Sequence, residues 1–171
     1  IDGDIVISAS GTFTALDHDD AAGTDSFTQS SGTISTGNAT ASAISITVEG
    51  SGSAALSGLS VGDGATITVD ARVNTGGAIT DNNGASTNFT FAGAGGTLVL
   101  DATGGIGSSD ALESTATTLT VSTVNNSTSG NIQLSNTGAV TATSITQIGA
   151  STGNITLTAT GSITVNTVTG S

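Results

Sequence analysis

The sequence predicts an all-β fold, a right-handed parallel β-helix (β-solenoid) with roughly 20–25 residues in each coil. Three observations carry that prediction. The first is the palette of residue types. The chain of 171 residues has 25 Gly, no Pro, Cys, Met, Trp or Tyr, and four Phe. Its apolar side chains are Ile, Val, Leu and Ala, alternating with Thr and Ser, and β-branched residues suit a pleated surface. The second is a repeated motif, and the third is the spacing of its copies.

The motif recurs in GDIVISASGTFTA from Gly3, ATITVDARVNTGGAI from Ala65, GTLVLDATGGI from Gly96, GNIQLSNTGAV from Gly130 and GNITLTATGSITV from Gly153. Each copy carries an apolar–x–apolar pair: Ile5/Ile7, Ile67/Val69, Leu98/Leu100, Ile132/Leu134 and Ile155/Leu157. Period-2 alternation marks a strand with one buried face. The Gly that follows marks a corner. Ile132 and Ile155 are 23 apart in sequence, and Ile46 and Ile67 are 21 apart, which suits one three-sided coil. Leu98 and Ile132 are 34 apart, which implies an insertion or a longer coil. Right-handedness follows from the general preference of parallel crossovers.

The last repeat shows the sides of one coil: Ile155–Thr158, Ser162–Val165 and a short strand at Val168. Most strand boundaries lack an Asn-Gly or Asp-Gly pair, which argues against antiparallel hairpins. Asn83-Gly84 and Asp63-Gly64 are two such pairs. Stacked coils bring like residues together at about 4.8 Å, so Ile on Ile fills a narrow interior without aromatics. Asn131 and Asn154 share a motif position and are placed to form an Asn ladder.

Residues 1–171 read as one solenoid segment, a unit of a longer tandem or stacked array. With no leader and a start at Ile1, the chain is expected to begin inside something larger. A second copy placed directly after Ser171 would set its Ile5 as far beyond Ile155 as Ile67 lies beyond Ile46. About eight coils at roughly 4.8 Å would advance the axis by somewhat under 40 Å. The expected partners are therefore copies of the same unit, end to end.

Charge removes other classes. The formal net charge is −12, with Arg72 the one basic side chain. A phosphate backbone needs several Lys or Arg, so nucleic acid is excluded. No apolar run approaches the roughly 18 residues that span a bilayer, so membrane insertion is not expected.

Candidate chemistry is sparse. Asp17, Asp19, Asp20 and Asp25, with His18 among them, offer hard oxygen ligands and are a weak Ca²⁺ candidate. Their spacing fits no standard calcium loop, so a polar loop outside the solenoid wall is the preferred reading, with no metal and no cofactor. Gly149-Ala150-Ser151-Thr152-Gly153 matches the Gly-x-Ser-x-Gly elbow, but it lies between two predicted strands and the sole His is His18. Arg72 is expected to pair locally with Asp70. That leaves no clustered cation for polysaccharide cleavage, and the chain is not expected to be an enzyme. Five Asn fit the glycosylation sequon: Asn38, Asn88, Asn125, Asn126 and Asn154. Thr-x-Thr pairs recur at Thr66/Thr68, Thr141/Thr143 and Thr156/Thr158, and a flat array of such pairs can bind ice. The uneven coil spacing argues against one.

The segments GGIGSSDALESTATTLTVSTVN, GNIQLSNTGAV and GNITLTATGSITV resemble the repeat regions of filamentous-haemagglutinin-like bacterial surface adhesins, giant surface proteins built of β-strand repeats. The resemblance implies a right-handed parallel β-helix, secretion to the bacterial cell surface, and work in adhesion, biofilm or surface fibres. The expected function is a rigid structural segment of an extracellular fibre or stalk. The alternative is an adhesin module that recognises a glycan or a host or cell-surface partner. The absence of Tyr and Trp favours the structural reading.

Overall fold

The computed structural model describes residues 1–7, 10–17, 26–72, 77–123, 130–148 and 153–170. Among them every regular element is a strand and every strand pair is parallel. The first coil supplies β1 (Ile5–Ile7) and β2 (Phe13–Asp17). The second supplies β3 (Phe27–Thr28), β4 (Thr33–Thr36) and β5 (Ile44–Val48). The third holds β6 (Ala54–Leu56), β7 (Gly58–Val61) and β8 (Thr66–Ala71), and the fourth β9 (Ile79–Asp81), β10 (Phe89–Phe91) and β11 (Thr97–Ala102). Then come β12 (Leu112–Ser114) and β13 (Thr118–Thr123), followed by β14 (Ile132–Asn136) and β15 (Val140–Gln147). The last coil carries β16 (Ile155–Ala159), β17 (Ile163–Val165) and β18 (Val168–Thr169).

These strands stack into three walls. One runs β1-β4-β7-β10-β12-β14-β16, the second β2-β5-β8-β11-β13-β15-β17, and a short third wall is β3-β6-β9. Single bridges from Ile79 to Ile106 and from Ile106 to Ile132 extend the third wall upward. The result is a β-solenoid of about six turns. The expectation of eight coils is corrected: several coils are longer than the motif spacing implied. At about 4.8 Å per step the described strands advance the axis by roughly 30 Å.

The interior is a set of columns. Phe27, Ala54, Ile79, Ile106, Ile132 and Ile155 follow one another up the third wall and its extension. Phe13, Ile44, Ile67, Leu98, Leu119, Ala142 and Val165 do the same on the second. Isoleucine thus meets isoleucine, and where one coil carries a large ring a neighbour can carry a small residue. Phe89, fully buried, lies between Leu59 and Ser114. Each fully buried Ile or Leu contributes about 1.5–3 kcal/mol of transfer free energy.

Corners are made by glycine where the chain must turn against the coil below. Gly32 has φ +76° and would drive a Cβ into the backbone of Gly3. Gly64 and Gly84, in the two expected turn pairs, have φ +73° and +63°. These two Asx-Gly pairs are corners between parallel coils rather than hairpin turns.

The register corrects four readings. Ile44, not Ile46, lies against Ile67, so that coil is longer by two positions than the motif spacing implied; Ile46 faces Val69. Leu98 and Ile132 belong to different walls, and Leu98 meets Leu119 one short coil later. The long coils are those from Phe13 to Ile44 and from Thr66 to Thr97. Ile5 heads the column Ile34, Leu59, Phe89, Ser114, Asn136, Ala159, so its counterpart at the other end is Ala159 and not Ile155. Counted from Ala159, a directly fused copy would offer less chain per coil than the shortest coil here, the one from Leu98 to Leu119. Finally, β17 and β18 both pair with β15, so the last two strands share one wall.

Burial falls off toward both ends. Ile5, Phe13, Ala15, Phe27, Ile155, Leu157 and Ala159 are only partly buried. Val165 and Val168 are each 51% exposed.

Candidate functional site

Asp17 is the last residue of β2, so this one of the four acidic candidates belongs to a wall strand rather than to a loop. It shares the inward parity of Phe13 and Ala15 and pairs with Val48. Its Oδ2 is buried, although the strand's inward residues are otherwise only partly buried. Asp19, Asp20 and Asp25, with His18, lie outside the described residues, as do Gly149 to Thr152 of the Gly-x-Ser-x-Gly match. Among the described residues no group of three or more His, Cys, Asp or Glu is placed to hold a metal ion, and no helix is long and apolar enough to cross a membrane.

Arg72 takes the expected partner and adds a second. Its Nε and Nη2 donate to Asp70 at 3.0 and 2.7 Å. Asp101 stacks on Asp70 in register and lies 3.5 Å from Nη2. Stacking places two like charges one coil apart, and the single guanidinium spans both. The hydrogen bond to Asp70 is the chief reason that Arg72 holds its proton more tightly than usual.

The outward face of the second wall carries Thr66, Thr97, Thr118, Thr141 and Thr164 in one column. Uneven spacing in the sequence therefore did not prevent a regular array: the extra residues are taken up on other sides of the coil. Adjacent outward positions break its uniformity with Val99, Asp70 and Asp101. Of the pairs singled out, Thr143 falls at a bulge in β15, and Thr156/Thr158 lies on a different wall.

The sequons divide by burial. Asn38 and Asn88 are buried, and both side chains are engaged. Asn154 is exposed, and its backbone N–H donates to Asn131 Oδ1 at 2.9 Å, a main-chain to side-chain bond rather than the side-chain ladder expected of these two residues. Asn125 and Asn126 lie outside the described residues.

Two polar networks were not read from the sequence. The first centres on Gln29, which has no exposed surface. Its Nε2 donates to the carbonyls of Gly32 and Gly58, both at 2.9 Å. Its Oε1 accepts from the N–H groups of Ser57 and Gly58, both at 3.1 Å. One amide thus satisfies the corner of its own coil and that of the next. Gln133 and Gln147 likewise donate to the carbonyls of Ser108 and Gly130. A long amide in a chain otherwise rich in short Ser, Thr and Gly was the available signal.

The second network joins β9 to β12. Asn88 Nδ2 donates to Asp81 Oδ1 at 2.6 Å, and Asn88 Oδ1 accepts from Glu113 N at 2.9 Å. Asp81 Oδ1 also accepts from Asn83 N at 3.0 Å. Glu113 Oε2 and Asn83 Oδ1 are buried acceptors without a hydrogen-bond partner. Burial raises the Glu113 carboxyl above its ordinary value of 4.5, and the charges of Asp81 and Asp110 raise it further.

A shallow open depression of about 340 Å³ runs along one corner, lined by Phe91, Thr115, Thr117, Thr137 and small residues. Comparison with protein-family models, with curated proteins and with solved structures finds no match.

Proposed function

We propose that this chain is a rigid β-solenoid segment of an extracellular bacterial surface fibre or stalk, a mechanical element with no reaction to catalyse. The observation that supports it is the parallel stacking of all the described coils, with one bulge in β15, around an apolar interior that is only partly buried in its first and last coils. Each described coil pairs with the next through parallel strands, an arrangement suited to carrying further coils of the same kind. Head-to-tail contacts between unlike faces do not close on themselves and generate filaments. Unpaired strand edges template that growth.

Secretion to the cell surface is the part of this reading that rests on the resemblance to filamentous-haemagglutinin-like repeats. Export of the full-length protein, followed by surface labelling of intact cells, tests it. Imaging of the chain at rising concentration tests the stacking. Thin rods should lengthen in steps of roughly 34 Å per added copy, seven stacked levels at about 4.8 Å. A chain that stays at one coil-stack length at every concentration overturns self-stacking.

A second reading, an adhesin module, draws on the corner depression beside Phe91. A neutral glycan is the ligand class it suits, because no charged side chain lines it. Binding on a glycan array that is lost with Thr117→Lys would favour that reading over the mechanical one.

A further inference from the structure

We propose that Asn83 is a site of covalent self-modification: the Gly84 amide attacks its side-chain carbon, ammonia leaves, and the aspartate or isoaspartate that results loosens the turn between β9 and β10. This goes beyond the fibre reading and stands or falls apart from it. Asn83 is the one Asn in the chain that is followed by Gly. Ring closure needs the next main-chain nitrogen to reach Cγ, and a side chain on that next residue crowds the approach. Gly84 has none, and a Cβ built there would meet no atom within 4 Å. It is exposed, as are residues 85–87, so water has access to the turn. Among the described residues the Gly84 N–H has no hydrogen-bond partner. The nitrogens that follow other Asn are engaged: Asn83 N donates to Asp81 Oδ1, Ile132 N to Asn154 O and Thr137 N to Ser114 O. The attacking group is therefore free at Gly84 and tied at those positions.

The step needs only the chain and water. Gly84 N gives its proton to solvent base and forms a bond to Asn83 Cγ. The Cγ–Nδ2 bond breaks, and Nδ2 takes up a proton and leaves as ammonia. Water then opens the cyclic imide. Attack at Cγ yields aspartate, and attack at the main-chain carbonyl yields isoaspartate, with the chain running through Cγ.

The reaction consumes an anchor. The turn lies across the coils below it. Asn82 N donates to Leu56 O and Asn82 Nδ2 to Gln29 O, both at 2.8 Å. Asn83 Nδ2 and Asn88 Nδ2 donate to the carbonyl of Ser57. Asn82 thus pins the start of the turn on two coils, whatever becomes of Asn83. Loss of Asn83 Nδ2 sets a carboxylate against the Ser57 carbonyl with no donor between them. Asn83 Oδ1 is already a buried acceptor without a partner, and the Asp81 carboxylate lies beside it. Buried acceptors without donors are destabilising. Isoaspartate also adds a methylene to the main chain between Asn82 and Gly84. The tie to Ser57 sets the pace as well: it restrains the amide, so conversion follows openings of the turn.

Peptide mapping of the whole folded chain, held in warm and mildly alkaline buffer, tests the chemistry. Asn83 should convert ahead of every other described Asn, with the mass gain of an amide-to-acid exchange and separate aspartyl and isoaspartyl peptides. Gly84→Ala should slow conversion several-fold, and so should Asn83→Gln, whose longer side chain must close a larger ring. Asn82→Ala should speed it by freeing the start of the turn. Amide hydrogen exchange tests the consequence. In Asn83→Asp, protection of the Asn82 amide should fall several-fold at neutral pH and recover in acid, where the protonated carboxyl again offers Ser57 a donor. A folded chain that keeps Asn83 intact while the urea-unfolded chain converts it overturns the proposal, because the turn would then block the attack. Conversion that leaves the Asn82 amide fully protected overturns the loosening.

Discussion

Replacing Gln29 with Ala should detach the first coils from the rest of the solenoid. The amide meets four backbone groups: the carbonyls of Gly32 and Gly58, and the N–H groups of Ser57 and Gly58. A carbonyl retains a second lone pair for other donors, but an N–H left without an acceptor keeps nothing. Each buried donor left unpaired costs about 1–3 kcal/mol. Two of them, with the cavity of the removed side chain, give about 3 kcal/mol or more. Water entering the cavity sets the lower bound. Because each coil contacts only its neighbours, the loss should appear locally, as early opening of the coils around residues 26–61. Protection of the Ser57 and Gly58 amides should fall about 100-fold, since each 1.4 kcal/mol is a factor of ten. Gln29→Glu is the sharper variant. At neutral pH its carboxylate would face the carbonyls of Gly32 and Gly58 with no donor, and stability should recover as acid protonates it. If Gln29→Ala changes stability by less than about 1 kcal/mol and leaves those two amides protected, the amide is not the tie between the coils.

Ile106→Ala should cost about 2–5 kcal/mol in urea unfolding, because Ile106 is fully buried between Ile79 and Ile132 in the middle of a column; Ile163→Ala, at an open end, should cost far less. Arg72→Ala should cost at most about 1 kcal/mol, since the guanidinium is 44% exposed. That loss should shrink in high salt and be partly rescued by Asp101→Asn, and a loss indifferent to both would show that Arg72 acts through packing.

The solenoid was legible because period-2 alternation and glycine punctuation are local properties. Ile132/Leu134 and Ile155/Leu157 do stack as the motif implied. Ile67/Val69 and Leu98/Leu100 stack on each other as well, but on a different wall. Both long walls carry the same apolar–x–apolar pattern, so the motif alone could not say which wall a copy belonged to. That ambiguity made Leu98-to-Ile132 look like one long coil. It also joined Ile155 to Ile5, whose column ends instead at Ala159. Asn88 shows the same limit for polar groups. In sequence it was one sequon among five, and only the stacking of three coils turns its side chain inward onto Asp81, Ser57 and Glu113 N.

By itself, then, the amino-acid order determined the strand character of this chain, its parallel stacking, its aromatic-poor core and the Asp70–Arg72 pair. Each of these rests on neighbours close in the chain or on a repeated pattern. The tertiary structure alone decided the number of coils, the regular threonine column, the pairing of Asp101 with Arg72 and the Gln29 and Glu113 networks. These depend on register between coils of unequal length, short from Thr97 to Thr118 and long from Thr66 to Thr97. Register is set by how much chain each corner takes up, and corner length is a sum over glycine turns and side-chain brackets that no local pattern encodes.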